Sequence, residues 1–335
     1  MSQPAYVRPG LEFGQGTTGE TAAIKEAQAD LRRTGYLRAS IDGRFGDGTA
    51  RAVKALQHDL LGGDGAGSDG SGPVNVKDYR AGRPVQVTGR LDQATAACLA
   101  AMAADPAFPK LPAAPDPRAA NTAIRAQVAA LRSDRAPIPF LIAMFRQESG
   151  FRQFNEPGAG DDDRFVIVGL DRNDAARPDR ITSRGYGVGQ HTLFHHPPRA
   201  EEIAGPISDP AQNLAGAIAE LRDKFDRFVN GATPGRRADD RIVEQGSGPL
   251  RACKYPADDP RYLSDCRACA LAVGTVDIVA SQTTWHRATT KTYEPTQYYA
   301  GDRASHPGTP NRAMFGCDWP YAVRRYNGGG VNSYH

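Results

Sequence analysis

Ile138-Pro139-Phe140-Leu141-Ile142-Ala143-Met144-Phe145-Arg146-Gln147-Glu148-Ser149-Gly150 is the stretch on which the reading of this chain turns. Pro137 and Pro139 suit a helix start, where a missing N–H costs nothing, and Gly150 suits a helix end. On a helix, Ile138, Leu141, Phe145 and Glu148 follow one another at intervals of 3, 4 and 3, so the glutamate continues an apolar stripe. A carboxyl group drawn partly out of water has its charged form disfavoured, and its pKa is expected to rise. Such an acid still carries a proton near neutral pH and can give it to a leaving oxygen. Taken alone, a glutamate at a helix end more often pairs with a cation such as Arg146 or Arg152, or points to water. The surrounding sequence has to decide between the two.

Downstream, Thr182-Ser183-Arg184-Gly185-Tyr186-Gly187-Val188-Gly189-Gln190-His191-Thr192 holds three glycines that let backbone approach a ligand, and a glutamine that both donates and accepts. A phosphate-binding reading fails, because neither the Lys-Ser/Thr ending nor a flanking strand is present. A sugar-lining loop fits better. Asp209-Pro210 then opens a helix as cap and first-turn proline, and Leu214, Ile218, Leu221, Phe225 and Phe228 form its core stripe. Trp319 to Gly329 reads as a short helix ending Tyr326-Asn327-Gly328-Gly329.

These pieces, in this order, resemble the lysozyme-like domain of lytic transglycosylases: Glu148-Ser149 at the end of a buried helix, Gly187-Val188-Gly189-Gln190, Asn213 in the helix from Asp209, and Tyr326-Asn327-Gly328. The resemblance covers residues 121–228 and 319 to the end. It implies a single acid/base, Glu148, which protonates the glycosidic oxygen of peptidoglycan and then accepts a proton from the sugar's own C6 hydroxyl as that oxygen closes onto C1. Ser149, Gly187, Gln190, Tyr326 and Asn327 are implied as substrate-binding residues. No metal and no cofactor is required. Gly189 stands where the family usually has methionine, which opens one wall of the sugar site. Glu156 and the run Asp161-Asp162-Asp163 keep a hydrolytic alternative open, since a second carboxylate could activate water; as structure, the run reads as a solvated loop. His191, His195 and His196 lack the helical spacing of a metal-binding pair.

Working toward the N-terminus, Asp105 to Pro117 contains five prolines and reads as an extended spacer. Ahead of it the chain repeats itself. Gly43-Arg44-Phe45, followed by Thr49-Ala50 and Val53, aligns with Gly89-Arg90-Leu91, followed by Thr95-Ala96 and Leu99. Each copy pairs a tight glycine turn with a capped helix. Ile24, Ala27 and Leu31 give an amphipathic helix before the first copy; Val53, Leu56 and Leu60 continue the helix after it. This three-helix plan, with Gly35-Tyr36, Asp42-Gly43-Arg44-Phe45-Gly46 and Gln57, resembles the common peptidoglycan-binding domain of wall hydrolases. Asp42, Gly43 and Phe45 are its implied wall-binding residues. The Gly-, Ser- and Asp-rich stretch 61–86 is longer than the usual connection and is expected as an exposed loop.

The expected architecture is mostly α: a flexible N-terminus over 1–19, a three-helix peptidoglycan-binding domain over 20–104, a Pro-rich linker over 105–120, and a lysozyme-like α-helical catalytic domain over 121–335 with an insertion at 229–318. That insertion carries Cys253, Cys266, Cys269 and Cys317. Disulfides, a zinc site built on the single CxxC, and reduced thiols all remain open for them.

The net charge of +3 on 335 residues is too small to argue for nucleic acid. No segment approaches the ~20 apolar residues that span a bilayer, and residues 1–19 lack the basic and apolar regions of a secretory signal. By the two resemblances, the implied partner is the glycan strand of peptidoglycan, met in the periplasm or wall after phage lysis or specialised secretion. A phage or secretion component, or an immunity protein, is the further partner each route implies. A muramidase, and a non-catalytic wall-binding structural protein, are the competing readings.

Overall fold

The computed structural model describes residues 3–62, 74–131, 133, 135–169, 180–226, 253, 255–263, 319, 322 and 326. Among them the chain is mostly helical: α1 (Thr21–Arg33), α2 (Asp47–Gly62), α3 (Gln93–Ala104), α4 (Pro117–Ala129), α5 (Ile138–Ser149), β1 (Arg184–Tyr186), β2 (His191–Leu193), α6 (Ala200–Glu202) and α7 (Pro210–Lys224). β1 and β2 pair antiparallel, with Gly185 opposite Thr192.

The chain forms two compact units that do not follow sequence order. One is built from residues 1–125 and 152–213, the other from 126–151 and 214–335. The boundary expected at the proline-rich stretch is replaced by an interleaved one, and the reason lies in what that stretch packs against. Phe108 and Leu111 are buried. The Leu111 N–H bonds to the Arg33 carbonyl at 2.8 Å, and the Ala114 N–H to the Arg164 carbonyl at 3.0 Å. Proline composition makes the segment stiff, but stiffness does not keep it from packing when apolar side chains punctuate it.

In the first unit, α1, α2 and α3 bury Ile24, Ala27, Leu31, Val53, Leu56, Leu60, Leu99 and Met102. The repeat seen in the sequence is a repeat of wiring. Gln28 of α1 accepts from the Gly43 N–H at 2.8 Å and donates to the Arg44 carbonyl and Thr49 hydroxyl at 3.0 Å each. Gln57 of α2 accepts from the Gly89 N–H at 2.9 Å and donates to the Arg90 carbonyl and the Thr95 hydroxyl, at 2.9 and 3.1 Å. Gly43 and Gly89 have φ of +76° and +74°, which only glycine adopts without strain. Each turn then enters a helix, and Asp92 caps α3 by accepting from the Thr95 N–H at 2.7 Å.

The N-terminal stretch, expected as flexible, is pinned to the first unit at Tyr6 and Phe13. The Tyr6 hydroxyl donates to Asp30 at 2.6 Å, and Phe13 exchanges both backbone hydrogen bonds with Leu91. Tyr6 and Phe13 are each 1% exposed, so two aromatic anchors outweigh the glycine and proline content around them. The acidic run is also corrected. Asp163 forms a buried ion pair with Arg32 at 3.1 Å, Asp162 meets Lys25 at 2.6 Å, and Asp161 accepts from the Ile41 N–H at 2.9 Å. What reads as a solvated loop is an anchor onto α1 and the segment that follows it.

In the second unit, α5 buries Phe140, Leu141, Met144 and Phe145. Pro137 caps its start, and Gly150, at φ +64°, ends it with an N–H to the Arg146 carbonyl. α7 buries Leu221 here, and just past its end the buried Phe225 ring stacks on Trp319 with centroids 4.3 Å apart. Phe228 and Cys266, Cys269 and Cys317 lie outside the described residues, as does most of the 229–318 insertion.

Candidate functional site

Glu148 lies in the last turn of α5, half-buried, following the buried Met144 and Phe145. The residue thus continues the apolar stripe of α5 at its C-terminal end. Ser149 beside it is buried, and its hydroxyl donates to the Phe145 carbonyl at 3.2 Å, one turn back. Tyr326 belongs to the same unit. Its phenol is held well above the ordinary tyrosine value by burial, then by the negative charges of Glu220 and Glu148. A phenol in that field keeps its proton. Asn327 lies outside the described residues.

Gly187 and Gln190 belong to the other unit, in the turn joining β1 to β2. Gly187 has φ +73°, and a side chain there would collide with the carboxamide of Gln153. That carboxamide is fully buried; it accepts from the Val188 N–H at 2.9 Å and donates to the Ile207 carbonyl at 2.7 Å. Asn213 takes the next position, accepting from the Gly189 N–H at 2.7 Å while donating to the Tyr186 and Pro206 carbonyls at 2.8 Å. The Gly187 N–H goes to the Ile167 carbonyl at 2.9 Å and the Gln190 N–H to the Gly187 carbonyl at 3.2 Å.

All four N–H groups of the turn are thus bonded within the protein. The turn is not an anion cradle, which needs its N–H groups free. Gln190, at φ +52°, folds its own amide back to the Gly187 carbonyl at 2.8 Å. The glycines serve a compact turn more than a close approach to a ligand.

Sequence reasoning named Asn213 but missed Gln153, because a glutamine in a polar stretch after Gly150 carries no local signal. Asn121 was missed for the same reason. Its side chain accepts from the Gln153 and Phe154 N–H groups and donates to the Phe154 carbonyl and Glu156, so it fixes Gln153 from the start of α4. Glu156 also pairs with Arg125 at 3.0 Å, and these bonds hold its carboxyl below the usual glutamate range, with the Asn121 bond the largest cause. His195 is engaged by Glu202 at 2.8 Å.

Of the implied wall-binding residues, Asp42 is exposed, whereas Phe45 is 2% exposed and packs near Phe13. Phe45 is a core residue: the position that follows the turn points inward in both copies, where Leu91 is buried too. Gly43 is buried as well and serves the turn, bound by Gln28.

No curated protein and no solved structure matches the chain. Residues 20–60 match the family described as "Putative peptidoglycan binding domain", a span running from α1 through the Gly43 turn and most of α2. The chain carries a helical peptidoglycan-binding module in its first compact unit.

Proposed function

We propose that this chain is a peptidoglycan lytic transglycosylase in which Glu148 is the single acid/base. The observation that carries the reading is Glu148 itself, half-buried at the end of an apolar helix and in the same compact unit as Tyr326, in a chain that also bears a span matching a peptidoglycan-binding family. Glu148 gives its proton to the oxygen leaving C1 of the N-acetylmuramic acid ring. The resulting carboxylate then takes the proton of the same sugar's C6 hydroxyl while O6 bonds to C1. The proton count closes on Glu148, no water is consumed, and the new chain end is a 1,6-anhydro sugar.

The carboxylates that the sequence offers for activating a water are each engaged elsewhere. Glu156, Asp162 and Asp163 are tied to Arg125, Lys25 and Arg32, and Asp161 accepts from backbone, so each already has a structural task. The periplasm or wall is the workplace that peptidoglycan as substrate implies; export by phage lysis or a specialised secretion system, and a cognate immunity protein, belong to the same proposal.

Glu148→Gln keeps the size of the side chain and removes the transferable proton. The variant is expected to fold and to sediment with purified sacculi as the native protein does, and to lose release of soluble fragments by at least ~100-fold, the size of a general-acid contribution. Full fragment release by Glu148→Gln contradicts the mechanism. Binding without release by the native protein favours the non-catalytic wall-binding reading instead.

A further inference from the structure

The turn that closes α1, residues 34–37, lies inside the span matched to the wall-binding family, yet its contacts reach out of that span. Arg184, the first residue of β1, is buried and points its guanidinium at this turn, donating from Nη1 to the Gly35 carbonyl and from Nη2 to the Tyr36 carbonyl, the latter at 3.0 Å. At the other end of the hairpin, beyond β2, His196 is fully buried with its ring edge-on to Tyr36, centroids 4.5 Å apart. A Cβ at Gly35 would sit 2.7 Å from His196 Cε1, so the glycine is what lets the imidazole in. Tyr36 is fixed from the module side, its hydroxyl donating to Asp59 of α2 at 2.9 Å.

One turn earlier on α1, Arg32 donates to the Val166 carbonyl at 3.1 Å. The chain just after Val166 carries the hairpin's next contacts: the Gly187 N–H bonds to the Ile167 carbonyl at 2.9 Å and the Gly169 N–H to the Gly185 carbonyl at 2.8 Å. The chain entering β1 and the chain leaving β2 therefore meet the turn that closes α1, while the hairpin's middle meets the 167–169 segment, whose neighbour Val166 is held by Arg32 of α1. A tether would need none of these contacts, and a guanidinium spanning two carbonyls fixes direction as well as distance.

We propose that the wall-binding module is also the seat of the β1–β2 hairpin, with Arg184 as the positioning residue that sets the Gly187–Gln190 turn. Capture of the wall and placement of that turn are then tasks of one rigid piece. The catalytic consequence rests on the transglycosylase reading; the structural one does not.

The test is hydrogen exchange, read peptide by peptide on the full chain, for Arg184→Ala, Arg184→Lys and Gly35→Ala. Lysine keeps the charge but cannot span two carbonyls, and alanine at position 35 displaces His196. Amides of residues 185–193 are expected to exchange about tenfold faster in at least one variant that leaves α3 unchanged, the signature of local rather than global opening. Sedimentation with sacculi should stay near native, and kcat for fragment release should fall about tenfold with KM little changed, as expected when a turn is misplaced but capture is intact. Unchanged hairpin exchange in all three variants overturns the proposal. Exchange that rises equally in α3 and the hairpin in all three also overturns it, because the contacts would then serve general stability. If the native protein releases no fragments, the transglycosylase reading fails on its own and exchange still decides this one.

Discussion

Gln28 and Gln57 are both uncharged, both in helices, and 1% and 0% exposed. Each carboxamide satisfies a glycine N–H, an arginine carbonyl and a threonine hydroxyl of the turn that enters the next helix. Replacing either by alanine leaves those buried groups unpaired, a loss of about 1–3 kcal/mol. Urea unfolding of Gln28→Ala and Gln57→Ala should show that loss, at similar size because the wiring is duplicated. The glycines of these turns could be read from sequence, since a repeated Gly-Arg-apolar pattern has few other uses. Gln28 could not, because its partner glycine lies 15 residues on and nothing local distinguishes it from a surface glutamine.

His196 carries the pH dependence at this scale. Burial first, then Arg184 and His195, hold its imidazole well below the ordinary 6.5. Tyr36 from the turn after α1 faces it without a compensating negative charge. The unfolded chain therefore binds the proton more readily than the folded one below pH ~6.5, so stability is fully present above that value and is lost as pH falls. His196→Gln should flatten the slope of stability between about pH 7 and 5 relative to the native protein. Equal slopes contradict a buried neutral imidazole.

At the scale of elements, helix ends were easier to read than helix partners. Pro137, Pro139 and Gly150 bracket α5, and Asp209-Pro210 opens α7, because caps and breakers act within a few residues. The proline-rich stretch was misread because its packing depends on Arg33 and Arg164, which are far away in sequence. The ion pair between Arg32 and Asp163 was hidden likewise, 131 residues apart. Removing its carboxylate leaves a buried guanidinium uncompensated, so Asp163→Ala should destabilise the fold by about 3–5 kcal/mol. Removing a half-buried cap costs less: Asp92→Ala should lose about 1 kcal/mol. Thermal unfolding of the two variants side by side should rank them in that order, and a larger loss at Asp92 would contradict the assignment of Asp163 as an anchor.

For the whole molecule, sequence order and spatial order diverge. The wall-binding module shares its compact unit with residues 152–213, while Glu148 belongs with residues 214–335. Motifs were found because each is local; their grouping depends on contacts between distant segments, which periodicity and spacing do not encode. The mostly helical class was legible from apolar stripes, and the peptidoglycan-binding span 20–60 from the α1 stripe and the Gly43 turn. The measurement that tests the central claim most directly is product analysis. Purified protein is incubated with sacculi, and the released muropeptides are separated with and without borohydride treatment. Muropeptides ending in a 1,6-anhydro ring, untouched by borohydride and absent with Glu148→Gln, are the predicted result. Reducible ends would show water as the nucleophile, and no released muropeptide at all would contradict catalysis by Glu148.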